Sequence, residues 1–198
     1  MEVSLIADSN ITKRALAQAL KDLMETQPFE KVSVAEICEA CKMNRKSFYY
    51  HFKDKYDLVE WIFESEFVDL VRQIDPQIDT TDRWMFLNDL CQYFYRERSF
   101  YTKVLEVTGQ NAFRYYFHSY LFDLAMPILR ERYRNHAPED EIMEFCVSFT
   151  TDAVMLAIFR WLEEGAKIPP ERFLQILQGV FETIRSRAKE IVREEQRS

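Results

Sequence analysis

An all-α fold is predicted by three observations. Only three glycines and six prolines punctuate 198 residues, apolar side chains recur at three- and four-residue intervals, and two short helical patterns joined by a tight turn lie between Ser33 and Lys55. The expected architecture is an N-terminal three-helix helix-turn-helix domain over residues 1–56, followed over 57–198 by a helical bundle that ends in a two-helix dimerisation surface. A hydrophobic content of 47% with 15% aromatic residues is enough for one large core or two smaller ones and argues against disorder.

The paired helices are read from Ser33 onward. Ser33 is a good N-cap for a helix whose inward stripe is Val34, Ile37, Cys38 and Cys41, with Glu36 and Glu39 outward. Asn44 is the next cap. It opens a helix that turns Phe48 and Phe52 inward and leaves Arg45, Lys46, Ser47, Tyr49 and Tyr50 on the remaining surface. Such a face suits nucleic acid: Arg and Lys donate to guanine or phosphate, hydroxyls add neutral phosphate contacts, and Tyr rings lie on sugar or a thymine methyl. Asp54 caps a third helix that begins at Lys55, where a cation beside free amide donors is expected to anchor phosphate. This is the layout of a DNA reader.

The run Ile37…Ala40-Cys41-Lys42-Met43-Asn44-Arg45-Lys46-Ser47-Phe48-Tyr49-Tyr50-His51-Phe52-Lys53-Asp54-Lys55…Leu58 resembles the TetR/AcrR family of bacterial one-component regulators. The likeness centres on Tyr-x-His-Phe-x-x-Lys and reaches back through Ile11 to Gln27, Phe29 and Val32. The wider run, from Ile11 through Ile62, is similar to Firmicute regulators linked to dihydroxyacetone-kinase operons, and Arg160 to Gly165 resembles the C-terminal domain of that type. The resemblance implies a docked second helix but does not carry over the exact base contacts; the residues expected at the DNA are Ser33, Lys42, Asn44, Arg45, Lys46, Ser47, Tyr49, Tyr50, His51 and Lys55. Lys42 and Lys46 stand where the family often has glycine. If Lys42 adopts a positive φ, the strain is about 1 kcal/mol relative to Gly. The two lysines also make the reader more cationic.

A net charge of −7 is at odds with DNA binding until its distribution is considered. Residues 10–56 carry nine Lys and Arg against six Asp and Glu, so the acidity lies elsewhere in the chain. Cys38 and Cys41 form a C-x-x-C. Cys91, Cys146, His51, His118 and His136 provide no second pair at metal spacing, so no metal or other cofactor is implied and the thiols are expected to be small buried hydrophobes. A redox role for Cys91 or Cys146 stays open. No signal-peptide pattern opens the sequence, and the most apolar run, Ala153 to Leu162, is ten residues long and contains Arg160. A soluble cytoplasmic protein without a membrane span is expected.

Beyond the reader, a helix is expected over Tyr56 to Ile74, ended by Pro76, and further helices after Thr80-Thr81-Asp82, over Ser99 to Thr108 and over Asn111 to Arg134 with a kink at Pro127. The family resemblance implies an inducer pocket among these helices, for which Tyr93, Phe117, His118, Tyr120, Met155 and Phe159 are the candidates, although an aromatic stripe at this spacing is equally the signature of plain core. Glu141 to Glu163 is apolar on nearly all sides in its second half, so it must be covered by its own domain and by something else. The last helix carries a seam of Phe173, Ile176, Leu177, Val180, Phe181 and Ile184 with Gly179 inside it. A mid-helix Gly costs about 1 kcal/mol against Ala, and its expected use is close approach of the same helix from a second subunit.

Those observations imply a homodimer that places two recognition helices in successive major grooves of a palindromic double-stranded operator. Control by a small-molecule effector or by a regulatory protein both remain open. No phosphate loop, nucleophile elbow or metal set points to an enzyme.

Overall fold

The computed structural model describes residues 2–68, 83–107, 113–132 and 140–195, with side chains described from Ser9 onward except at 68, 83, 128–129, 131–132, 185 and 187–195. Helices are α1 (Glu2–Thr26), α2 (Val34–Ala40), α3 (Arg45–His51), α4 (Lys55–Phe63), α5 (Arg83–Arg96), α6 (Arg98–Leu105), α7 (Phe113–Arg132), α8 (Asp140–Glu163) and α9 (Pro170–Glu195). A 3₁₀ turn, Phe29–Lys31, precedes α2, and α4 runs on into a π-helical turn, Glu64–Val68. Among the described residues there is no strand, so the all-α expectation holds.

In the reader, α1 buries Leu16, Leu20 and Met24, one residue per turn, while α2 buries Ile37 and Cys38 and α3 buries Phe48. Phe52, just past α3, closes the same core. The α2–α3 turn is a Schellman motif. Met43 N–H donates to Cys38 O at 2.8 Å and Lys42 N–H to Glu39 O at 3.1 Å. Lys42 takes φ 57°, so a lysine occupies the left-handed position that glycine fills at no steric cost.

The helix expected over Tyr56 to Ile74 ends its α-helical part at Phe63, and the π turn follows; residues 69–82, with Pro76 and the Thr80–Asp82 capping run, lie outside the described residues. Buried residues Leu58, Val59, Ile62 and Phe63 place α4 against both α1 and α7. A division at residue 56 therefore falls within the first turn of a helix that both parts share, and the buried side chains form one cluster from Leu16 to Ala166.

Phe63 is the centre of that cluster. The rings of Phe67, Tyr93, Phe94, Phe113, Tyr116, Phe117 and Tyr120 surround it at centroid distances of 5.4–6.2 Å. Most meet it edge to face, the arrangement the ring quadrupole favours.

Polar contacts latch the reader to the bundle around the π turn. Lys21 Nζ on α1 donates to Glu66 Oε1 at 2.7 Å and to Glu97 Oε2 at 3.0 Å. Tyr93 donates its hydroxyl to Glu66 Oε2 at 3.1 Å, so the 2.8 Å contact with Tyr101 is donated by Tyr101. Burial pushes both phenols well above their ordinary pKa, which keeps them as donors. Lys103 on α6 caps the Met24 and Glu25 carbonyls at the C-terminus of α1.

A second Schellman motif ends α8, with Ala166 N–H on Trp161 O at 2.8 Å and Gly165 at φ 84°. Trp161 then stacks on Phe173 at 4.8 Å and donates Nε1–H to Ile168 O at 2.8 Å, which sets the start of α9.

Two substitutions test this packing. Phe63→Ala should cost roughly 3–5 kcal/mol in urea unfolding, because seven rings cannot collapse into the space of one. Lys42→Gly should stabilise the chain by about 1 kcal/mol in the same assay, since it relieves the left-handed strain; unchanged or lower stability would mean the lysine stem contributes more than its backbone costs.

Candidate nucleic-acid interface

The reader is assembled from local caps. Ser33 and Glu36 form a complete capping box: Glu36 N–H donates to Ser33 Oγ at 3.2 Å, and Ser33 N–H donates to Glu36 Oε2 at 2.8 Å. The hydrogen bonds from the Ser33 side chain and backbone hold the Glu36 carboxyl below its ordinary pKa. Asn44 Oδ1 accepts from Ser47 N–H at 2.8 Å and lies 3.2 Å from Ser47 Oγ. With α3 started this way, Phe48 and Phe52 point inward, ring to ring at 5.7 Å.

What faces outward is cationic and aromatic. Lys42, Arg45, Lys46, Tyr49, Tyr50 and Lys53 are exposed, Tyr50 at 83%. His51 is half-buried with its ring 4.9 Å from that of Tyr50. Burial and the nearby Lys13 lower its pKa, so at neutral pH the imidazole is neutral and offers one N–H. Lys13, which pattern reading leaves on α1 without a role, lies over the rings of Phe52 at 5.8 Å and Trp61 at 5.7 Å, and so adds a cation at the end of α3.

Lys55, expected as a phosphate anchor, is engaged within the protein. Its Nζ donates to three backbone carbonyls, Phe29 O at 2.8 Å, Glu30 O at 2.9 Å and Val32 O at 2.7 Å, and lies 4.6 Å over the Phe29 ring. An ammonium has three protons, and all are used inside the protein. Two of the amides at the start of α4 are also taken: Asp54 Oδ1 accepts from Tyr56 N–H and Asp57 N–H, each at 2.9 Å. The cap that starts the helix thus uses two of the donors that an anion at this helix end would otherwise meet. Ser33 and Asn44 are likewise spent on their caps.

The six residues considered for an inducer pocket do not converge on an open cavity. Tyr93, Phe117, Met155 and Phe159 are buried, and Tyr120 and His118 are half-buried. Phe117 meets Phe159 at 5.3 Å, Tyr120 meets Phe63 at 5.4 Å, and His118 Nε2 lies 3.3 Å from Asp152. They fill space rather than line it. A recess of about 10 Å³, the size of one water, lies elsewhere, between Phe29, Tyr56, Val59, Val104, Val107 and Phe113.

Cys38 and Cys41 pack toward the core with thiols pushed up by burial, and Cys41 Sγ donates to Ile37 O at 3.2 Å. Cys91 is buried and raised to about 12, so it is not a nucleophile at physiological pH.

The seam expected on α9 divides. Phe173, Leu177 and Phe181 turn toward the bundle, Phe181 against Trp84 at 5.9 Å. Ile176, Gly179, Val180 and Ile184 face outward. Their counterparts on α8 are Ile142, Phe145, Phe149 and Leu156, exposed at 51%, 68%, 65% and 50%. Sequence reading passed over these four, although their three- and four-residue spacing marks a second face opposite the buried Met143, Val147, Val154 and Ile158. By length and composition α8 is apolar enough to cross a membrane, with a mean hydropathy of 1.7 over 18 residues, of which 39% are buried against the bundle. Two apolar faces account for that composition.

Comparison with known proteins agrees with this geometry. The profile of the bacterial regulatory proteins of the tetR family matches residues 13–62, and that of a transcriptional regulator C-terminal region matches residues 82–183. The HTH-type dhaKLM operon transcriptional activator DhaS of Lactococcus lactis subsp. lactis (strain IL1403) is 31% identical over 102 residues, 50% of this chain and 51% of that protein. The chain thus spans about half the length of this curated relative. Among solved structures, a dihydroxyacetone kinase operon activator DhaS superposes with a TM-score of 0.63 at 22% identity, over 88% of this chain and 97% of the other. A TetR transcriptional regulator from Streptococcus agalactiae 2603V gives 0.59 at 22% identity over 89% and 96%, and Thermus thermophilus FadR, a TetR family repressor in complex with lauroyl-CoA, gives 0.58 at 17% over 82% and 89%. These similarities share the fold, and with the two profiles they establish that the chain belongs to the TetR family of bacterial transcriptional regulators.

Proposed function

We propose that this regulator binds a palindromic operator as a homodimer, with α3 of each protomer in successive major grooves about 34–36 Å apart. The observation that supports it is the outward face of α3, where Arg45, Lys46, Tyr49 and Tyr50 are exposed around two inward phenylalanines, with the Tyr49 ring edge-on to Phe48 and the Tyr50 ring edge-on to His51. Lys46 and Tyr50 supply sequence preference, and Lys42 and Lys53 add attraction to phosphate. The reading implies a cytoplasmic location, where the chromosomal DNA of a bacterium lies.

The second subunit covers the outward stripes of α8 and α9. Phe145, Phe149, Ile176, Val180 and Ile184 offer an apolar surface that a two-fold partner buries with its own copy, giving a four-helix interface. Gly179 has nothing within 4 Å of where its Cβ would be, which leaves room for a close helix approach.

Regulation by a small-molecule effector works through the spacing of the two readers. An effector that binds one arrangement of α4 and α7 more tightly than another shifts the population toward it, by no more than its difference in affinity. The reading takes α4 as the carrier, since Leu58 and Val59 belong to the reader end and Phe63 to the aromatic centre. The target genes of the Lactococcus relative, named in its description as the dhaKLM operon, are the first candidates for the genes controlled here.

Fragmented genomic DNA from the source organism passed over the wild type and over the Lys46→Ala/Tyr50→Ala variant tests the reader. A palindrome enriched by the wild type alone is the expected result, and identical enrichment by both would remove α3 from recognition. For the dimer, Phe149→Arg should convert a dimer to a folded monomer in sedimentation velocity with an unchanged circular dichroism spectrum; a dimer that persists would move the interface elsewhere.

A further inference from the structure

We propose that Lys55 is a positioning residue of the DNA reader: it is the joint through which α4 sets the orientation of the α2–α3 pair, and it contacts no phosphate. The inference rests on the DNA-binding reading above and adds to it the part that holds the reader in register.

The geometry has three parts. The acceptors of Lys55 Nζ are the carbonyls of Phe29, Glu30 and Val32, at 2.7–2.9 Å, so they belong to the 3₁₀ turn and to the residue just before Ser33, the cap of α2. The donor is the first residue of α4, and eight residues later Phe63 is locked among seven rings of the core. Between them the Phe29 and Tyr56 rings meet edge to face at 5.3 Å, so the same two segments also share an apolar contact.

The energetics favour retention of these bonds over transfer to phosphate. A bond to phosphate would be charge-assisted as these are, but three carbonyls that converge on one ammonium would be left short of partners if it turned outward. Burial lowers the amine's pKa, and the nearby Glu30 and Glu36 oppose that shift and favour the charged form. A displacement of α4 at its core end is therefore carried to α2 by three short bonds, and to α3 by the tight turn that follows.

The test uses Lys55→Met, which keeps the stem over Phe29 and removes every donor, and Lys55→Arg, which keeps the charge but has a planar fork that does not fit three converging carbonyls. In the full chain without DNA, amide hydrogen exchange over residues 29–51 should quicken about tenfold in both variants while α7 and α8 keep the wild-type rate, a tenfold change being the scale of one lost net bond. Unchanged exchange over 29–51 overturns the proposal. With a duplex recovered by the wild type, titrated between 50 and 200 mM salt beside a scrambled duplex of equal length, both variants should lose about tenfold in operator affinity, keep their nonspecific affinity, and keep the salt slope. A slope reduced by about one in Lys55→Met, with equal loss on both duplexes and full rescue by Lys55→Arg, would identify a phosphate anchor and overturn the proposal. If Lys55→Met does not fold, Lys55→Arg alone decides through the same exchange and affinity readings. If the wild type recovers no duplex, the operator reading fails and hydrogen exchange still decides whether Lys55 holds the reader.

Discussion

The burial of Phe63 is the constraint on which the remainder of the molecule depends. One ring at the end of α4 draws together α5, α7 and the π turn, and because α4 also contributes Leu58 and Val59 to the reader, the two halves of the chain share one core. Aromatic pairs are worth about 0.5–1.5 kcal/mol each beyond the area they bury, so a cage of seven outweighs any single polar contact at the junction. The reader is thus not a bead on a string. Its attitude is tied to how seven rings pack at the far end of α4.

Polar contacts refine that arrangement rather than cause it. Lys21 with Glu66 and Glu97 is only part-buried, and such ion pairs are worth no more than about 1 kcal/mol once solvent screens them. What they add is direction. Tyr101 donates to Tyr93, Tyr93 to Glu66, and Lys21 closes the chain from α1, so the π turn has one arrangement in which every hydrogen is placed. Lys103 over the last carbonyls of α1 fixes that helix one turn further on, at the same end.

The parts of this fold that were legible in the sequence are those whose partners are close in the chain. Ser33, Asn44 and Asp54 cap helices through atoms two or three residues away, so residue type and spacing suffice to place them. The inward Phe48 and Phe52 follow from helical spacing, and the left-handed Lys42 from its place in the turn. Lys55 was not legible, because its acceptors lie 23–26 residues back and are backbone atoms of no particular residue type. The inducer candidates were ambiguous for a related reason: an aromatic stripe gives the same pattern whether its rings line a space or fill it, and here the Phe117 and Phe159 rings pack against each other. The outward face of α8 was hidden by abundance, since a helix apolar on two sides shows no preferred direction in its periodicity.

The filled centre of the bundle also has a temporal consequence. Rings packed at crystal-like density move only in concert, so a molecule admitted between α4 and α7 has to wait for an opening that the protein itself supplies. Capture of such a molecule would then saturate at the rate of that opening, however much of it is present, and its departure would be slow for the same reason. An effector switch of the kind proposed above, built on such a core, would respond to sustained concentrations and average out brief ones.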